Sequence, residues 1–190
     1  MITDKNVTIK FLELPVIIID IANHNILKKP VLNAIKKTVT MSINSPNSLE
    51  VISNTDYFIP NNFKKFYVPL IDDVISTTIN TLQQTLNPGG SIIKPGSTWF
   101  QQYEKGDYHG WHTHGGNTYY SCVYYVDLPD QAPKTTFKVL DKQYEFEIKE
   151  GTVICFPGLV EHCSKPNESD YCKTVIAFNT FLQDEPYCNV

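Results

Sequence analysis

Tyr103-Glu-Lys-Gly106-Asp-Tyr-His109-Gly-Trp-His112-Thr-His114 is the stretch on which the reading of this chain turns. Side chains on an extended strand alternate with period two, so His112 and His114 face the same way. A third histidine ends a second stretch, Gly151-Thr-Val-Ile-Cys-Phe156-Pro-Gly-Leu-Val-Glu-His162. Once a neighbouring strand brings His162 alongside, three imidazoles close part of a coordination sphere and leave other positions open. Neutral imidazole suits iron, zinc, copper and nickel. Open positions are what a catalytic metal needs and a structural one does not. His112, His114 and His162 are therefore the candidate metal ligands and the candidate catalytic centre. The other two histidines are read as bystanders. His24 lies in a polar loop and is expected at the surface, and His109, three residues before His112, should turn to the opposite face of the strand, either supporting the ligands from behind or at the surface.

Working outward, the second half of the chain is rich in Val, Ile, Thr, Tyr and Phe, broken by short Gly, Pro, Asn or Asp segments. Residues 92–103, 108–112, 118–128, 135–139, 144–148, 152–156 and 171–182 are predicted strands. The first half differs. Residues 7–20 suggest an opening strand or two, and 30–41 carry a helical spacing with Pro30 near the first turn. Residues 44–61 read as loop with a short extended piece. Residues 63–86 carry one apolar stripe from Phe63 through Leu82 and Leu86, a helix stopped by Asn87-Pro-Gly-Gly90. Helices first and strands after argue for an α+β, mainly β chain: an antiparallel sandwich or barrel with N-terminal helices packed on one outer face. The expected organisation is one domain over 1–190, with the opening strand and helices in 1–90 and the β core in 91–182.

Composition narrows the function classes. A chain of 190 residues, 42% hydrophobic and 19% charged, needs no disulfides to hold a core. With a net charge of −4 and no lysine run longer than two, it lacks the basic patch of a nucleic-acid-binding surface. The Val16-to-Asp20 apolar run is too short to span a bilayer, and the start, Met-Ile-Thr-Asp-Lys, has no signal-peptide pattern. Cys122, Cys155, Cys163, Cys172 and Cys188 form an odd set without a Cys-x-x-Cys pair, so reduced, mostly buried thiols and a cytoplasmic address are expected. A homodimer is compatible with all of this. All 16 basic residues are lysines, so any position that calls for arginine must make do with lysine.

At the histidine stretches the sequence resembles the 2-oxoglutarate- and iron(II)-dependent oxygenases, in particular the prolyl-hydroxylase-like branch and its small phage and bacterial relatives. That pattern runs Tyr-x-x-Gly, then His-x-Asp six residues after the glycine, a strand ending Tyr-Leu-Asn, a Gly-led strand with a distal His, and an arginine about ten residues later that begins the last strand. Here Tyr103, Gly106 and His112 stand at the first positions. Ser121-Cys-Val-Tyr-Tyr125-Val-Asp127 matches the next strand, and Gly151, Phe156 and His162 match the Gly-led strand and distal ligand. Lys173, eleven residues after His162, falls at the position of the arginine, with Ala177-Phe-Asn179 after it. The match covers residues 97–182, and its main departure is His114 where the pattern has a carboxylate. The resemblance implies a double-stranded β-helix, a jelly roll of cupin type, with Fe(II) at its mouth. It also implies 2-oxoglutarate and O2 as cosubstrates. Lys173 would pair with the far carboxylate of 2-oxoglutarate, with Tyr125 and more weakly Tyr103 as hydrogen-bonding partners. A buried carboxylate needs such a cation and donors to offset its desolvation. Trp99, Trp111, Tyr119 and Tyr120 are candidates for the rim, and the substrate is left open.

Two other readings stay open. Gly106 to His114 also fits the Gly-x5-His-x-His of cupins, and Gly151, Pro157 and His162 fit their second motif, which would make a three-histidine metalloenzyme without a keto acid. A non-catalytic module holding zinc or no metal is the other; three histidines and a water suit tetrahedral zinc.

Overall fold

Strand β6 (Tyr120–Asp127) shows how the sequence builds the fold. Its Cys122, Tyr124 and Val126 belong to one buried cluster and its Tyr125 to another, so the strand is covered on both faces. Strand β11 (Lys173–Asp184) repeats the pattern, sending Ile176 and Phe178 one way and Val175 the other. That is why these strands read as near-continuous runs of Val, Ile, Tyr and Phe.

The computed structural model describes residues 14–44, 48–60, 62–86 and 88–184. After β1 (Ile17–Asp20) come α1 (His24–Ile35), β2 (Met41–Asn44), β3 (Glu50–Thr55), a short 3-10 turn and α2 (Asp72–Leu86). The β-rich half then runs β4 (Ser91–Tyr103), β5 (Tyr108–His112), β6, β7 (Thr135–Val139), β8 (Lys142–Glu145), β9 (Thr152–Pro157), β10 (Glu161–Ser164) and β11. Every pairing is antiparallel. The ladder runs β1-β9-β6-β11-β4-β3-β5-β10-β7-β8, with β2 beside β3. It curls into the half-barrel of a double-stranded β-helix, as the strand pattern and the resemblance implied. Both helices pack through Val31, Ile35, Val74 and Leu82 on the outer face of the β6–β11–β4 wall. The second cluster, with Tyr103, Tyr125, Phe137, Phe156 and Val175, fills the inside of the roll.

Several boundaries differ from expectation. Helix α1 starts at His24 and takes Pro30 inside, while Met41 already belongs to β2. The 63–86 stripe is helical only from Asp72, whose carboxylate and that of Asp73 sit in the first turn, where they suit the helix dipole. Pro69 occupies the separate 3-10 turn before it. The short extended piece expected within the 44–61 loop is β3, a six-residue strand of the sheet. The strand expected at 144–148 begins at Lys142, because a two-residue turn with Leu140 at φ 56° pairs Val139 with Lys142. His162 stands on a strand of its own, β10, rather than at the end of β9. Residues 7–13 of the expected opening strand, Asn87 and Cys188 lie outside the described residues. Cys122, Cys155 and Cys163 are buried free thiols and Cys172 is half-buried. No helix of the described residues is long and apolar enough to cross a membrane.

Candidate metal centre and ligand cavity

Strands β5 and β10 place His112 directly opposite His162 in register. His114 lies two residues past the end of β5, not on it, and its backbone N–H donates to Gly158 O at 2.8 Å. The ring centroids stand 4.2 Å apart for His112–His162, 5.3 Å for His112–His114 and 5.1 Å for His114–His162. One ring nitrogen from each of the three lies within 4.8 Å of the other two. Nitrogens that share a metal at about 2.1 Å stand roughly 3–3.5 Å apart, which is within that limit.

The protonation state fits a metal. His112 Nδ1 lies 2.8 Å from Gly110 O, and His162 Nδ1 lies 2.9 Å from Val160 O. A carbonyl only accepts, so in the neutral rings each Nδ1 carries the hydrogen and each Nε2 keeps its lone pair for the centre. Burial, reinforced by the neighbouring rings, pushes His162 down to about 2 and His114 to about 4, and lowers His112 as well. All three are neutral near pH 7, which is the ligating form. No carboxylate joins the group among the described residues. Asp107 is committed elsewhere: its Oδ2 accepts the backbone N–H groups of Ser53 and Glu104 at 2.8 and 2.9 Å.

The face expected for His109 is overturned, while its place beside the ligands and not among them agrees with one of the two expectations. Its ring stacks on that of His112 at 3.8 Å and 10°. The cause is a bulge. Between the His162–His112 and Ser164–His109 pairs, β10 advances two residues and β5 advances three. The extra residue reverses the alternation and turns His109 to the same side. Gln101 Nε2 reaches His109 Nδ1 at 3.2 Å, and Glu50 Oε2 lies 3.0 Å from His109 Nε2. That hydrogen bond, working against burial, holds the Glu50 carboxyl below its usual range. His24 is not a surface residue either. It is buried at the start of α1, with Nδ1 2.8 Å from the Tyr124 hydroxyl and Nε2 3.2 Å from Glu150 Oε1.

The three histidines open on a narrow cavity of about 40 Å³ that Lys173, Tyr125 and Tyr103 also line. Lys173 is 2% exposed. Its ammonium donates to Pro133 O at 2.9 Å and Ser164 Oγ at 2.6 Å, and stands 4.6 Å over the Tyr103 ring. No carboxylate pairs with it among the described residues, and burial pushes its pKa down to about 7. The Tyr125 hydroxyl accepts the Thr135 N–H at 2.9 Å and shares a hydrogen bond with Thr135 Oγ1 at 2.7 Å. Tyr103 offers Lys173 its ring face. Ser164, Thr135 and Gln101 were not singled out from the sequence; Ser164, two residues after His162 on β10, was within reach of the alternation argument. Of the rim candidates, Trp99 lines the cavity and a second, outer one of about 190 Å³ that Tyr57 and Glu50 share. Trp111 lies instead under Lys138, and Tyr120 packs toward the helices.

No family model matches the chain, and no curated protein does. Solved structures do. The viral collagen prolyl hydroxylase of Paramecium bursaria Chlorella virus-1, in a 2-oxoglutarate complex, superposes with a TM-score of 0.60 at 18% identity, over 87% of this chain and 94% of that one. A Pseudomonas putida prolyl-4-hydroxylase gives 0.63 at 11%, over 88% and 93%. HygX from Streptomyces hygroscopicus, with nickel, 2-oxoglutarate and hygromycin B bound, gives 0.62 at 8%, over 88% and 83%. At these identities the likeness is one of fold.

Proposed function

We propose that this chain is a non-haem iron(II)- and 2-oxoglutarate-dependent dioxygenase, with His112, His114 and His162 as metal ligands and Lys173 as the anchor of the keto acid. The observation that carries the reading is Lys173: a buried ammonium without a carboxylate, in the same cavity as three neutral imidazoles. A buried cation left unpaired is costly and is offset by a bound anion. Neighbours in fold that hold 2-oxoglutarate and a metal support it. Iron(II) bound here would supply the oxygen chemistry in which 2-oxoglutarate is decarboxylated to succinate and the substrate is hydroxylated.

The chain's own residues do the rest. Lys173 presents its charge between Pro133 O and Ser164 Oγ, which fix the direction of the ammonium. Lysine gives one point of charge where arginine would give a fork, so the keto acid is oriented by fewer hydrogen bonds. An arriving carboxylate restores the proton that burial makes labile, raising the Lys173 pKa again. Tyr125 and Thr135 form the wall beside it. Trp99 and the roll's apolar interior keep bulk water out.

Anaerobic addition of Fe(II) and 2-oxoglutarate should give a visible metal-to-keto-acid charge-transfer band, and admission of O2 should give succinate. Absence of both band and succinate removes the proposal. The all-histidine ligand set favours a second reading, a three-histidine metalloenzyme without a keto acid. Lys173→Met separates the two: it abolishes the band in the first and leaves metal-dependent activity in the second.

A further inference from the structure

Two buried side-chain atoms among the described residues have no hydrogen-bond partner, Ser121 Oγ and Asn179 Oδ1. They are not scattered. Ser121 on β6 and Asn179 on β11 are directly opposite one another, so their side chains share one face of the sheet. That face is the inner one: Ser121, 1% exposed, lines the histidine cavity with Ala177 and Trp99. Asn179 borders a trough that continues beyond it along Gly96 and Thr118. Polar groups beside them are met, since Thr180 Oγ1 bonds both the N–H and the carbonyl of Tyr120 at 3.1 Å. Leaving a buried polar atom unmatched costs about 1–3 kcal/mol, and native chains carry few such atoms.

The keto acid does not account for the pair. Asn179 is six residues from Lys173 along β11, about 20 Å at strand rise. A five-carbon diacid anchored at Lys173 spans only about 6 Å at ordinary bond lengths. Trp99, opposite Ala177 in the sheet, stands 6.1 Å from the His114 ring. The unmatched pair therefore lies past the cosubstrate, at the level of the candidate metal centre, where a substrate must present itself. Its side of the trough is lined by Gly, Ser, Asn, Thr and Phe, with no charged side chain.

We infer that Ser121 and Asn179 bind the substrate, resting on the oxygenase reading above, and that the group they take is an uncharged carboxamide edge lying against Trp99. Asn179 Oδ1 accepts the amide N–H. Ser121 donates to the adjacent carbonyl. A flat group over Ala177 meets the indole, and the small alanine leaves it room.

The test uses Trp111→Phe protein, in which Trp99 is the sole tryptophan, loaded with zinc(II) and 2-oxoglutarate. Benzamide should quench its fluorescence saturably and bind more tightly than benzoate or acetophenone. Ser121→Ala and Asn179→Leu should each weaken benzamide by about tenfold, one lost hydrogen bond's worth. Ser121→Ala should melt at or above the parent temperature, because it removes an unmatched hydroxyl. Unchanged benzamide affinity in both variants, benzoate binding as tightly as benzamide, or a clearly lower melting temperature for Ser121→Ala overturns the inference. Benzamide discrimination in protein that gives no succinate with iron sinks the oxygenase reading and leaves the subsite standing. Succinate formation with no discrimination does the reverse.

Discussion

Lys173 is a residue kept at a cost to the folded chain. Burial lowers its pKa to about 7, against 10.5 in the unfolded chain, so between those values the unfolded state binds the extra proton and stability rises with pH. Below pH 7 both states are protonated and the whole penalty is felt. At 1.36 kcal/mol per pKa unit this is on the order of 5 kcal/mol as an upper bound. Lys173→Met removes it but strands Pro133 O and Ser164 Oγ, which returns about 1–2 kcal/mol. The metal-free variant should therefore melt higher than the parent at pH 6–7, the gap should close by pH 10, and 2-oxoglutarate should no longer bind. Equal melting curves at pH 6.5 would show that the ammonium is better solvated than its burial implies. At this scale the sequence was informative where residue types are rare inside proteins. Three histidines in a strand-rich half stand out by type, whereas Lys173, one of several lysines there, was marked only by the resemblance; the structure brings all four around one cavity. His109 and His24 were misjudged, because the side each faces depends on a bulge and on a helix start that no residue type announces. Ser164 and Ser121 are too common in strands to be noticed.

Strand β5 shows why a site's elements are harder to read than its ligands. Its bulge puts His109 and His112 in one stack, and Gly110 sits between them with its N–H on Leu49 O at 2.7 Å. A Cβ at Gly110 would come within 2.5 Å of that carbonyl. Gly110→Ala must therefore push β5 away from the segment before β3, costing about 1–3 kcal/mol, as overpacking does. The displaced strand carries His112, so zinc affinity should fall by roughly 10–100-fold, the usual effect of disturbing a ligand's support. Gly115→Ala is the control, since nothing lies within 4 Å of its Cβ position. If both variants match the parent in urea midpoint and zinc affinity, the bulge does not hold the site. The other strands of the β half were legible because Val, Ile and Tyr runs broken by turns survive both buried faces. β3 was legible only as a short extended piece, its Val51 and Ile52 being set among Asn, Ser and Pro, and β10 was not, because Glu161–Ser164 is short and placed by its partners in the ladder. The helix starts were misplaced because Pro30 is tolerated inside α1 and Pro69 sits in a separate 3-10 turn before α2.

For the molecule as a whole, the helical layer and the roll are clamped together at one corner. Glu150 accepts from Lys28 Nζ at 2.8 Å and from Leu128 N–H at 3.0 Å, and lies 3.2 Å from His24 Nε2. Lys28 also donates to Asp127 at 2.9 Å. Next to it Gly151, at φ +83°, lies so near the His24 ring that a Cβ would meet Cγ at 2.7 Å, so a glycine is required for both conformation and space. Tyr124 carries the contact inward, its hydroxyl on His24 and its neighbour Tyr125 in the cavity. Burial alone would raise the Glu150 pKa, but Lys28, Leu128 and His24 outweigh it and bring it down to about 2. A carboxylate with a folded pKa below its unfolded value of about 4.5 contributes stability that is complete above pH 5 and is lost as pH falls toward 2. Discounted for the partial solvent access of the cluster, that contribution is about 1–2 kcal/mol. Glu150→Gln should thus lower stability by that amount at pH 7, and the two proteins should converge near pH 2.5 in urea titrations across the acid range. An offset that stays constant with pH would mean that packing against His24 and Gly151, rather than charge, holds this corner. Because α1 contacts the same wall that carries Tyr125 on its inner side, the variant should also loosen keto-acid binding at pH 7, and that difference should shrink as pH falls and the two proteins converge.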